Sequence, residues 1–331
     1  MKYKILFLIL VLLVVSLNPA YAGNETRIGS AGAQELRIPV GARSSALSGA
    51  VIADVAGTEA IFWNPAGLAR LGGTEVMFSY QPYFADINVS AMAAGTWIEG
   101  FGVIGASAKI VSIGDMEETT EAFPDGTGRI YSPTLSVFSL SYARILTGQV
   151  SFGFNTLFIN EKIFEVSATG IAFDVGVTFD PGWNGLLFGA VLKNYGPEMK
   201  FSGNGFDRSL DGLRPARPVA AKFDLPSSVN FGTSVQAVNQ EQHLLTFSGN
   251  FQANNYSQDV FQGGLEYVYD GRFSGRIGYN YADQNNYIYG VTIGAGLKQD
   301  IGGTLFSIDY SWNDTDELFD ANQFFTFKVL F

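Results

Sequence analysis

The sequence predicts an all-β fold, a transmembrane antiparallel β-barrel of about 14 strands whose lumen holds an N-terminal hatch segment. Three observations carry this prediction. The chain opens with an export signal, most of its length alternates apolar with small or polar residues, and its last strand ends on an aromatic residue. Together they favour a barrel of the Gram-negative outer membrane over a soluble sheet protein.

Residues 1–22 have the layout of a secretory signal peptide. Lys2 and Lys4 give a basic start, residues 5–17 are apolar apart from Ser16, and residues 20–22 (Ala-Tyr-Ala) form a small-residue cleavage pattern. A membrane anchor is disfavoured because the apolar run is shorter than the roughly 20 residues that a helix needs to cross a bilayer. We therefore expect cleavage near Ala22, followed by export to the outer membrane.

Residues 23–73 do not alternate at a period of two, and we expect this segment to form the hatch, with residues 74–331 forming the barrel. Residues 41–50 are rich in small side chains. Within residues 63–68, Asn64 followed by Pro65 is a common start of a short helix. We expect Asn64, Pro65 and Ala66 to form a turn that holds the segment against the wall, with Trp63 packed. The alternative is that Asn64 only caps a short helix.

The barrel strands are indicated by alternation at a period of two. In residues 171–180, Ile171, Val177 and Phe179 share one face, while Asp174 and Thr178 lie on the other. A membrane barrel directs the first kind of side chain to lipid and the second to its lumen. The same pattern predicts strands near residues 74–81, 87–98, 101–113, 132–145, 149–159, 166–180, 186–194, 227–237, 243–252, 260–269, 272–281, 287–298, 303–313 and 322–331.

The connections between these strands differ at the two ends of the predicted barrel. Tight turns such as Asp270-Gly271 alternate with longer loops, of which the longest are residues 114–131, 195–226 and 314–321. Short turns on the periplasmic side and long loops outside are usual for such barrels. We therefore expect both termini on the periplasmic side.

The final strand helps to separate a membrane barrel from a soluble β-sandwich or lipocalin-like barrel, which alternation alone cannot do. Phe325, Phe327, Val329 and the terminal Phe331 lie on one face of this strand. An aromatic end to an alternating last strand resembles the signal that the outer-membrane barrel assembly machinery reads. We expect these four residues to act as that assembly signal and their face to contact outer-membrane lipid.

Composition excludes some functions. The formal charge is −11, with no basic cluster of the kind that nucleic-acid binding requires. The chain has one histidine and no cysteine, so no Cys–His pair exists, and His243 at the start of a strand is expected to be an interfacial side chain. The acidic loop from Asn313 to Asp320 lacks the spacing of a calcium loop, and we expect solvated surface there. We expect no enzyme, no bound metal and no cofactor.

Several short motifs in the hatch resemble the opening of PorV/PorQ-type outer-membrane proteins. They are the run 31–36 (Ala-Gly-Ala-Gln-Glu-Leu), Gly41-Ala42-Arg43 after Val40, Asp54 after Ala53, and the run Trp63-Asn64-Pro65-Ala66-Gly67. That family is similar in architecture to the FadL long-chain fatty-acid transporters, with fourteen strands and a hatch that carries an Asn-Pro-Ala motif. Two departures from the family, at Asp54-Val55 and Leu47-Ser48, leave the subgroup open.

The resemblance implies two alternative functions. PorV-like members are components of the type IX secretion system, and this chain would then associate with secreted proteins or a translocon. FadL-like members pass hydrophobic ligands from outside, past the hatch, towards a side opening in the wall. The first is the main expectation because the 195–226 loop carries Phe206, Leu210, Leu213, Arg214, Arg217 and Phe223, residue types that favour protein contacts.

Overall fold

The computed structural model describes residues 27–84, 86–183, 185–203, 205, 220–282, 289–315 and 320–331. They form a closed antiparallel barrel of 14 strands, as the alternation predicted. In chain order these are β1 Thr74–Pro82, β2 Asn88–Ile98, β3 Gly102–Ser112, β4 Thr134–Ile145, β5 Val150–Ile163, β6 Val166–Phe179, β7 Leu187–Tyr195, β8 Ser228–Asn239, β9 His243–Asn254, β10 Val260–Tyr269, β11 Phe273–Tyr281, β12 Tyr289–Ile301, β13 Thr304–Thr315 and β14 Asn322–Leu330.

Consecutive strands are hydrogen-bonded neighbours around the whole barrel, and β1 closes it by pairing with β14. Closure continues into the last residue, since Phe331 N donates to Thr74 O over 2.8 Å. A two-residue strand, Ser202–Gly203, extends the edge of β6, and short pairs join Met199–Lys200 to Lys222–Phe223 and Met116–Glu117 to Ile130–Tyr131. A closed wall leaves no open strand edge, which lipid could not satisfy.

The two faces of the wall differ as a membrane barrel requires. On β14, Phe325 and Phe327 are 46% and 42% exposed, whereas Thr326 between them is 3% exposed and faces the lumen. On β6, Ile171 and Phe179 face outward while Asp174 is buried inside. The outer surface is thus apolar and the lumen holds the polar residues, the reverse of a soluble sandwich. Within the described ranges, no helix has both the length and the apolar character to cross a membrane.

The hatch fills the lumen with short helical pieces. These are Gln34–Arg37, Ala42–Ala46, Gly57–Glu59, Ala60–Trp63 and Pro65–Arg70. Their apolar residues, including Leu47, Val51 and Leu68, pack with Met77 and Val103 of the wall into one buried cluster. Most hatch residues between Val40 and Leu71 are therefore as buried as a protein core.

The expectation that both termini lie at one end is wrong for the first described residues. We call the end that carries connections 113–133 and 196–227 the long-loop end, and the end at Phe331 the tight-turn end. Arg27 stacks on Tyr256, and Gly32 N donates to Asp224 O over 3.0 Å. Asp224 belongs to connection 196–227, and Tyr256 belongs to the short connection 255–259 at the same end of the barrel. The hatch thus runs through the lumen from the long-loop end to Thr74 at the tight-turn end, because its backbone donors find partners along that path.

Some expectations fall outside the described residues. These are the signal peptide with its cleavage site near Ala22, most of the 195–226 loop including Phe206, Leu210, Leu213, Arg214 and Arg217, and residues 316–319 of the acidic loop.

The assembly signal leads to a prediction for Phe331, whose side chain is 65% exposed on the outer surface. Replacing it with Asp keeps the backbone hydrogen bonds to Thr74, removes the aromatic group and places a charge on the outer surface. We expect Phe331→Asp to lower the amount of heat-modifiable, membrane-inserted barrel while export across the inner membrane continues. Phe123→Asp, at an exposed loop position, is the control and should assemble normally. Equal insertion of both variants would argue against a signal in the side chain.

Candidate functional site

Asn64 joins the hatch to itself and to the wall. Its Nδ2 donates to Ile52 O at 2.7 Å and to Val177 O of β6 at 3.4 Å, and its Oδ1 accepts from Ala66 N at 3.1 Å. The last contact caps the helical turn Pro65–Arg70. Asn64 is fully buried. Capping and wall contact, posed as alternatives from the sequence, thus occur in the same side chain.

Two wall glycines form the seat for this turn. A Cβ on Gly153 of β5 would lie 2.1 Å from Pro65 C and 2.3 Å from Ala66 N, and one on Gly176 of β6 would lie 1.9 Å from Asn64 Oδ1. At Gly153 the backbone of the hatch therefore touches the backbone of the wall, and at Gly176 the Asn64 side chain does so; a Cβ would block both approaches. Gly67 makes a similar close approach inside the hatch, against Val55 O.

We expect Asn64→Ala to loosen the hatch without opening the barrel. The change removes three hydrogen bonds and leaves the buried carbonyl of Ile52 without its donor, a cost of about 2–4 kcal/mol. Limited trypsin digestion should then cut at Arg43 or Arg70 at least tenfold faster. Asn88→Ala, at a half-buried position on β2 whose hydrogen bonds to Tyr80 and Asp86 lie at the surface, is the control. Unchanged protection in Asn64→Ala would leave the asparagine without a holding role.

The Gly41-Ala42-Arg43 part of the hatch motif lies next to the Trp63-Asn64-Pro65 part. Trp63 Nε1 donates to Val40 O at 2.8 Å, just before Gly41, and Ala42 N donates to Thr326 Oγ1 of β14 at 2.8 Å. Gly41 has a φ of +95°, and a Cβ there would lie 2.3 Å from Glu59 Oε1. The two motifs recognised in sequence are thus neighbours in the folded hatch.

A chain of alternating charges ties the hatch to the wall near the tight-turn end. Arg43 pairs with Asp54 at 2.9 Å and with Glu266 of β10 at 2.7 Å. Arg276 of β11 pairs with the same Glu266 and with Asp309 of β13, both at 2.6 Å. The order Asp54, Arg43, Glu266, Arg276, Asp309 means that each charge faces an opposite one. Glu266 is the member that no pattern in the sequence singles out.

A second ion pair joins Glu59 of the hatch to Lys328 of β14. Glu59 Oε1 also accepts from the backbone N of Ser44 at 3.0 Å and from its hydroxyl at 2.6 Å. Burial alone would raise the pKa of Glu59, but the Lys328 ammonium, the Ser44 hydroxyl and Arg43 together lower it to about 2. Burial is the dominant cause for Asp54, whose pKa is raised despite Arg43.

The shifted pKa of Glu59 predicts an acid sensitivity of the hatch. A carboxyl whose folded pKa is lowered stabilises the fold above its unfolded pKa of about 4.5, and this stabilisation is lost as the pH falls towards about 2. The stabilisation that the ionised Glu59 contributes is about 3 kcal/mol in total. We expect hatch protection from an acid-active protease to fall across this window. The hatch of Glu59→Gln should be less protected at neutral pH, and its protection should change less with pH below pH 4.5. A pH dependence equal to that of the unmodified chain would contradict the assignment.

Above the hatch, towards the long-loop end, lies a cavity of about 660 Å³. Its floor is formed by hatch residues that include Ser48, Ile52 and Trp63. One side is mainly apolar, with Val111, Leu135, Val137 and Leu157 from β3 to β5, together with Leu36 and Val40 of the hatch. Ser107, Lys109 and Ser139 are the polar residues of β3 and β4 on this side. The opposite side, from β8 to β14, carries mainly amides and hydroxyls. This volume is within the range of small-molecule sites.

Alternation predicts Lys109 and Lys193 on the lumen face, where lumen acids such as Asp174 could pair with them, but both lysines donate to the hatch instead. Lys109 Nζ donates to Glu35 O at 2.6 Å and Ile38 O at 3.2 Å, and Lys193 Nζ donates to Phe62 O at 2.7 Å. Alternation also predicts Arg272 and Asp180 on the lumen face, but both lie in exposed turns, where Arg272 pairs with Asp270 and Asp180 accepts from Gly182 N. The strands end before these two residues, so alternation no longer applies to them.

The wall is irregular between β6 and β7. Their pairing shifts register between Phe173 and Val175, where Asp174 Oδ1 accepts from Asn194 N at 2.7 Å in place of a backbone carbonyl. Beyond this point, Gly196 packs directly on the backbone of Ile171. Next to this irregular part of the wall, an apolar cluster joins loop residues to the hatch. The cluster includes Leu36, Leu157, Ala172, Met199 and Leu225, with Phe201 and Phe223 packed against it. In contrast, β2, β3 and β4 pair without interruption.

The histidine of the chain lies on the wall, away from the cavity and the hatch. His243 Nδ1 lies 2.7 Å from the Tyr267 hydroxyl on the neighbouring strand, at the tight-turn end. No group of three or more potential metal ligands occurs among the residues that the structure describes. Sequence reasoning missed the glycine seat and the amide side of the cavity, because each depends on which strands lie next to one another.

Comparisons with known proteins relate the chain to solved barrels. A FadL homologue from Pseudomonas aeruginosa is 12% identical, with a TM-score of 0.55, over 88% of this chain and 98% of that one. The toluene transporter TodX from Pseudomonas putida is 13% identical, with a TM-score of 0.54, over 86% and 95%. The toluene transporter TbuX from Ralstonia pickettii is 15% identical, with a TM-score of 0.52, over 88% and 98%.

At such identities the likeness shows the fold, which is a FadL-type barrel. No protein-family model and no curated protein sequence matches the chain. The structural likeness therefore agrees with the FadL-like architecture expected from the hatch motifs, and it gives no support to the narrower PorV/PorQ resemblance.

Proposed function

We propose that this chain is an outer-membrane channel for hydrophobic small molecules and not an enzyme. The observation that carries the proposal is the cavity of about 660 Å³ between the long-loop end and the hatch. Its apolar side, formed by residues such as Val137 and Leu157, offers a surface on which an apolar ligand would leave water. The solved FadL homologue and toluene transporters, which share the fold, point to the same class of function.

The membrane location is supported by the outer surface of the barrel. Large apolar side chains that include Phe78, Met92, Phe138, Leu140 and Ile293 are exposed there. A soluble monomer rarely exposes such a continuous apolar belt, whereas lipid requires it. The long-loop end would face outward and the tight-turn end would face the periplasm.

The hatch is the gate in this proposal. Below the cavity the lumen is filled by the buried cluster of Leu47, Val51 and Leu68, so a ligand that continues in this direction must displace part of the hatch. Asn64, Glu59 and Arg43 hold it by polar contacts with the wall. Such contacts can break and re-form without loss of the barrel, because the strand ladders do not depend on them.

A role of the PorV/PorQ type, in which the barrel associates with secreted proteins, is the second candidate. One described feature favours it: Phe123 and Ile130 are 61% and 64% exposed on the connection between β3 and β4. That connection also packs on the β5–β6 turn through Tyr131 and Phe164. Recovery of secreted proteins with the native barrel, lost in Phe123→Ser with Ile130→Ser, would support this candidate over passage of a small molecule.

The channel is tested by filling the cavity. Leu157 lines it, whereas Phe158, the next residue on β5, faces outward. We expect Gram-negative cells that carry the barrel to take up radiolabelled toluene faster than cells without it. Leu157→Trp should remove most of that gain, and Phe158→Trp should keep it. Uptake that is independent of the barrel, or equal in the two variants, would overturn the proposal.

A further inference from the structure

The polar side of the cavity is a belt of amide side chains at one depth of the barrel. Strand register places Asn230 opposite Gln252, Asn250 opposite Gln262, and Gln262 opposite Asn280. Further round, Asn313 of β13 is opposite Asn322 of β14. We call these seven residues the amide belt. All but Asn250 line the cavity itself.

The amide belt is partly satisfied by its own members. Asn250 Nδ2 donates to Gln262 Oε1 at 2.5 Å and to Asn230 Oδ1 at 3.4 Å, and Gln262 Nε2 donates to Asn280 Oδ1 at 3.4 Å. These bonds fix the amide groups along the wall. A fixed row of amides is a prepared surface for hydrogen bonds, since little rotamer freedom remains to be lost on binding.

Some buried acceptors at this level have no partner. In the described part of the chain these include Asn322 Oδ1 and Asn250 Oδ1 in the belt and the hydroxyl oxygen of Ser45 on the cavity floor. The three residues are 3%, 6% and 2% exposed. Buried polar atoms are normally hydrogen-bonded. Asn322 and Ser45 line the cavity, so their oxygens would accept from a group that enters it, whereas Asn250 does not line it.

The chemistry of those atoms selects the head group of a ligand. A carboxylate offers only acceptors and an alkane offers neither donors nor acceptors, whereas a hydroxyl donates and accepts. The ammonium groups of Lys109 and Lys193, which could attract an anion, already donate to hatch carbonyls. Among the residues that the structure describes on β8 to β14, none that lines the cavity is charged, so the amide belt itself offers no charge to an acid.

The other side of the cavity suits an apolar chain or ring. Val137 and Leu157 line it, and the Trp63 ring lies on the floor between the two sides. The indole N–H of Trp63 is used by Val40 O, so only its apolar ring remains for a ligand. A molecule in the cavity would thus meet amides on one side and hydrocarbon on the other.

We propose that the cavity binds a neutral amphiphile whose head carries two or more hydroxyl groups, the head on the amide belt and the apolar part against the Val137–Leu157 side. This inference rests on the proposed channel function and narrows its ligand. Monoacylglycerols and alkyl glycosides belong to the class. Hydrocarbons and free fatty acids would enter the same cavity with lower affinity.

The test uses quenching of Trp63 by three brominated probes of equal chain length: a monoacylglycerol, a fatty acid and an alkane. The barrel is held in lipid vesicles, with Trp97, Trp183 and Trp312 replaced by Phe so that only Trp63 reports. A matched variant that keeps only Trp97, which is 49% exposed on the outer surface, measures probe dissolved in the lipid. The ratio of the two signals corrects for partitioning.

We expect the monoacylglycerol to quench Trp63 at a concentration about tenfold below that of the other two probes, the effect of one or two hydrogen bonds. Gln262→Met and Asn322→Leu, checked for heat-modifiability, should each reduce this preference. Equal quenching by all three probes, or a preference that survives both variants, would overturn the inference and leave the channel intact. Quenching of Trp97 alone by every probe would overturn both.

Discussion

Replacing Arg276 with Met should destabilise the barrel by about 3–5 kcal/mol, the usual effect of removing one partner from a buried ion pair. The Arg276 side chain is 1% exposed and holds Glu266 and Asp309, both at 2.6 Å. Without it, Asp309 is left buried with no cation at that distance, while Glu266 retains Arg43. The loss should appear as a lower midpoint in urea unfolding followed by heat-modifiability.

Two comparisons make this prediction specific. Arg272→Met removes an exposed pair to Asp270 at 3.6 Å and should change stability by less than about 1 kcal/mol. The double change Arg276→Met with Asp309→Leu removes both charges and should recover part of the loss. If Arg276→Met were as stable as Arg272→Met, water and not Arg276 would solvate Asp309.

Gly153→Val should unseat the hatch while leaving the barrel closed. The new Cβ would lie 2.1 Å from Pro65 C and 2.3 Å from Pro65 O, and backbone atoms cannot move aside as a flexible side chain can. The turn at Asn64, Pro65 and Ala66 must therefore leave the wall. We expect rapid trypsin cleavage in the hatch and leakage of small hydrophilic solutes through reconstituted barrels.

The control for this change is Gly275→Val, on an outward-facing position of β11. A Cβ there meets nothing within 4 Å, so the substitution tests only the general effect of valine in a strand. It should leave both proteolysis and solute leakage as they are in the unmodified chain. If Gly153→Val resisted trypsin and solute leakage as the unmodified chain does, the hatch could reseat by another route.

The strands could be predicted from the sequence because their signal is local. Alternation at a period of two requires only neighbouring residues, and Asp270-Gly271, with both φ angles positive, is a typical hairpin turn that can be read in the sequence. The membrane-facing stripe of β14 could also be predicted from the sequence, since Phe325 and Phe327 are two residues apart. This is why the number of strands and the outward face were both obtained.

The hatch contacts and the cavity could not be predicted in the same way, because they depend on distant residues. Gly153 is one of 39 glycines, and nothing near it in sequence shows that Pro65 lies against it. Glu266 is ordinary as a lumen residue until Arg43 and Arg276 meet at its carboxylate. The path of residues 27–33 to the long-loop end was missed because its partners, Asp224 and Tyr256, follow about 200 or more residues later.

The most direct test of the gating hatch is a reversible lock between hatch and wall. Ser48 Oγ and Thr292 Oγ1 lie 2.9 Å apart, and the chain has no cysteine of its own, so Ser48→Cys with Thr292→Cys would place one disulfide there. Thr74→Cys with Thr96→Cys, whose oxygens are 2.8 Å apart on β1 and β2, joins two wall strands as the control.

The measurement is toluene uptake by cells that carry each oxidised barrel, repeated after reduction. If the hatch gates passage, toluene uptake through the oxidised Ser48–Thr292 lock should fall to the level of cells without the barrel, and reduction should restore it. The control should pass toluene in both states. Equal uptake through the locked and the reduced barrel would contradict the account, because ligand would then pass without displacement of the hatch.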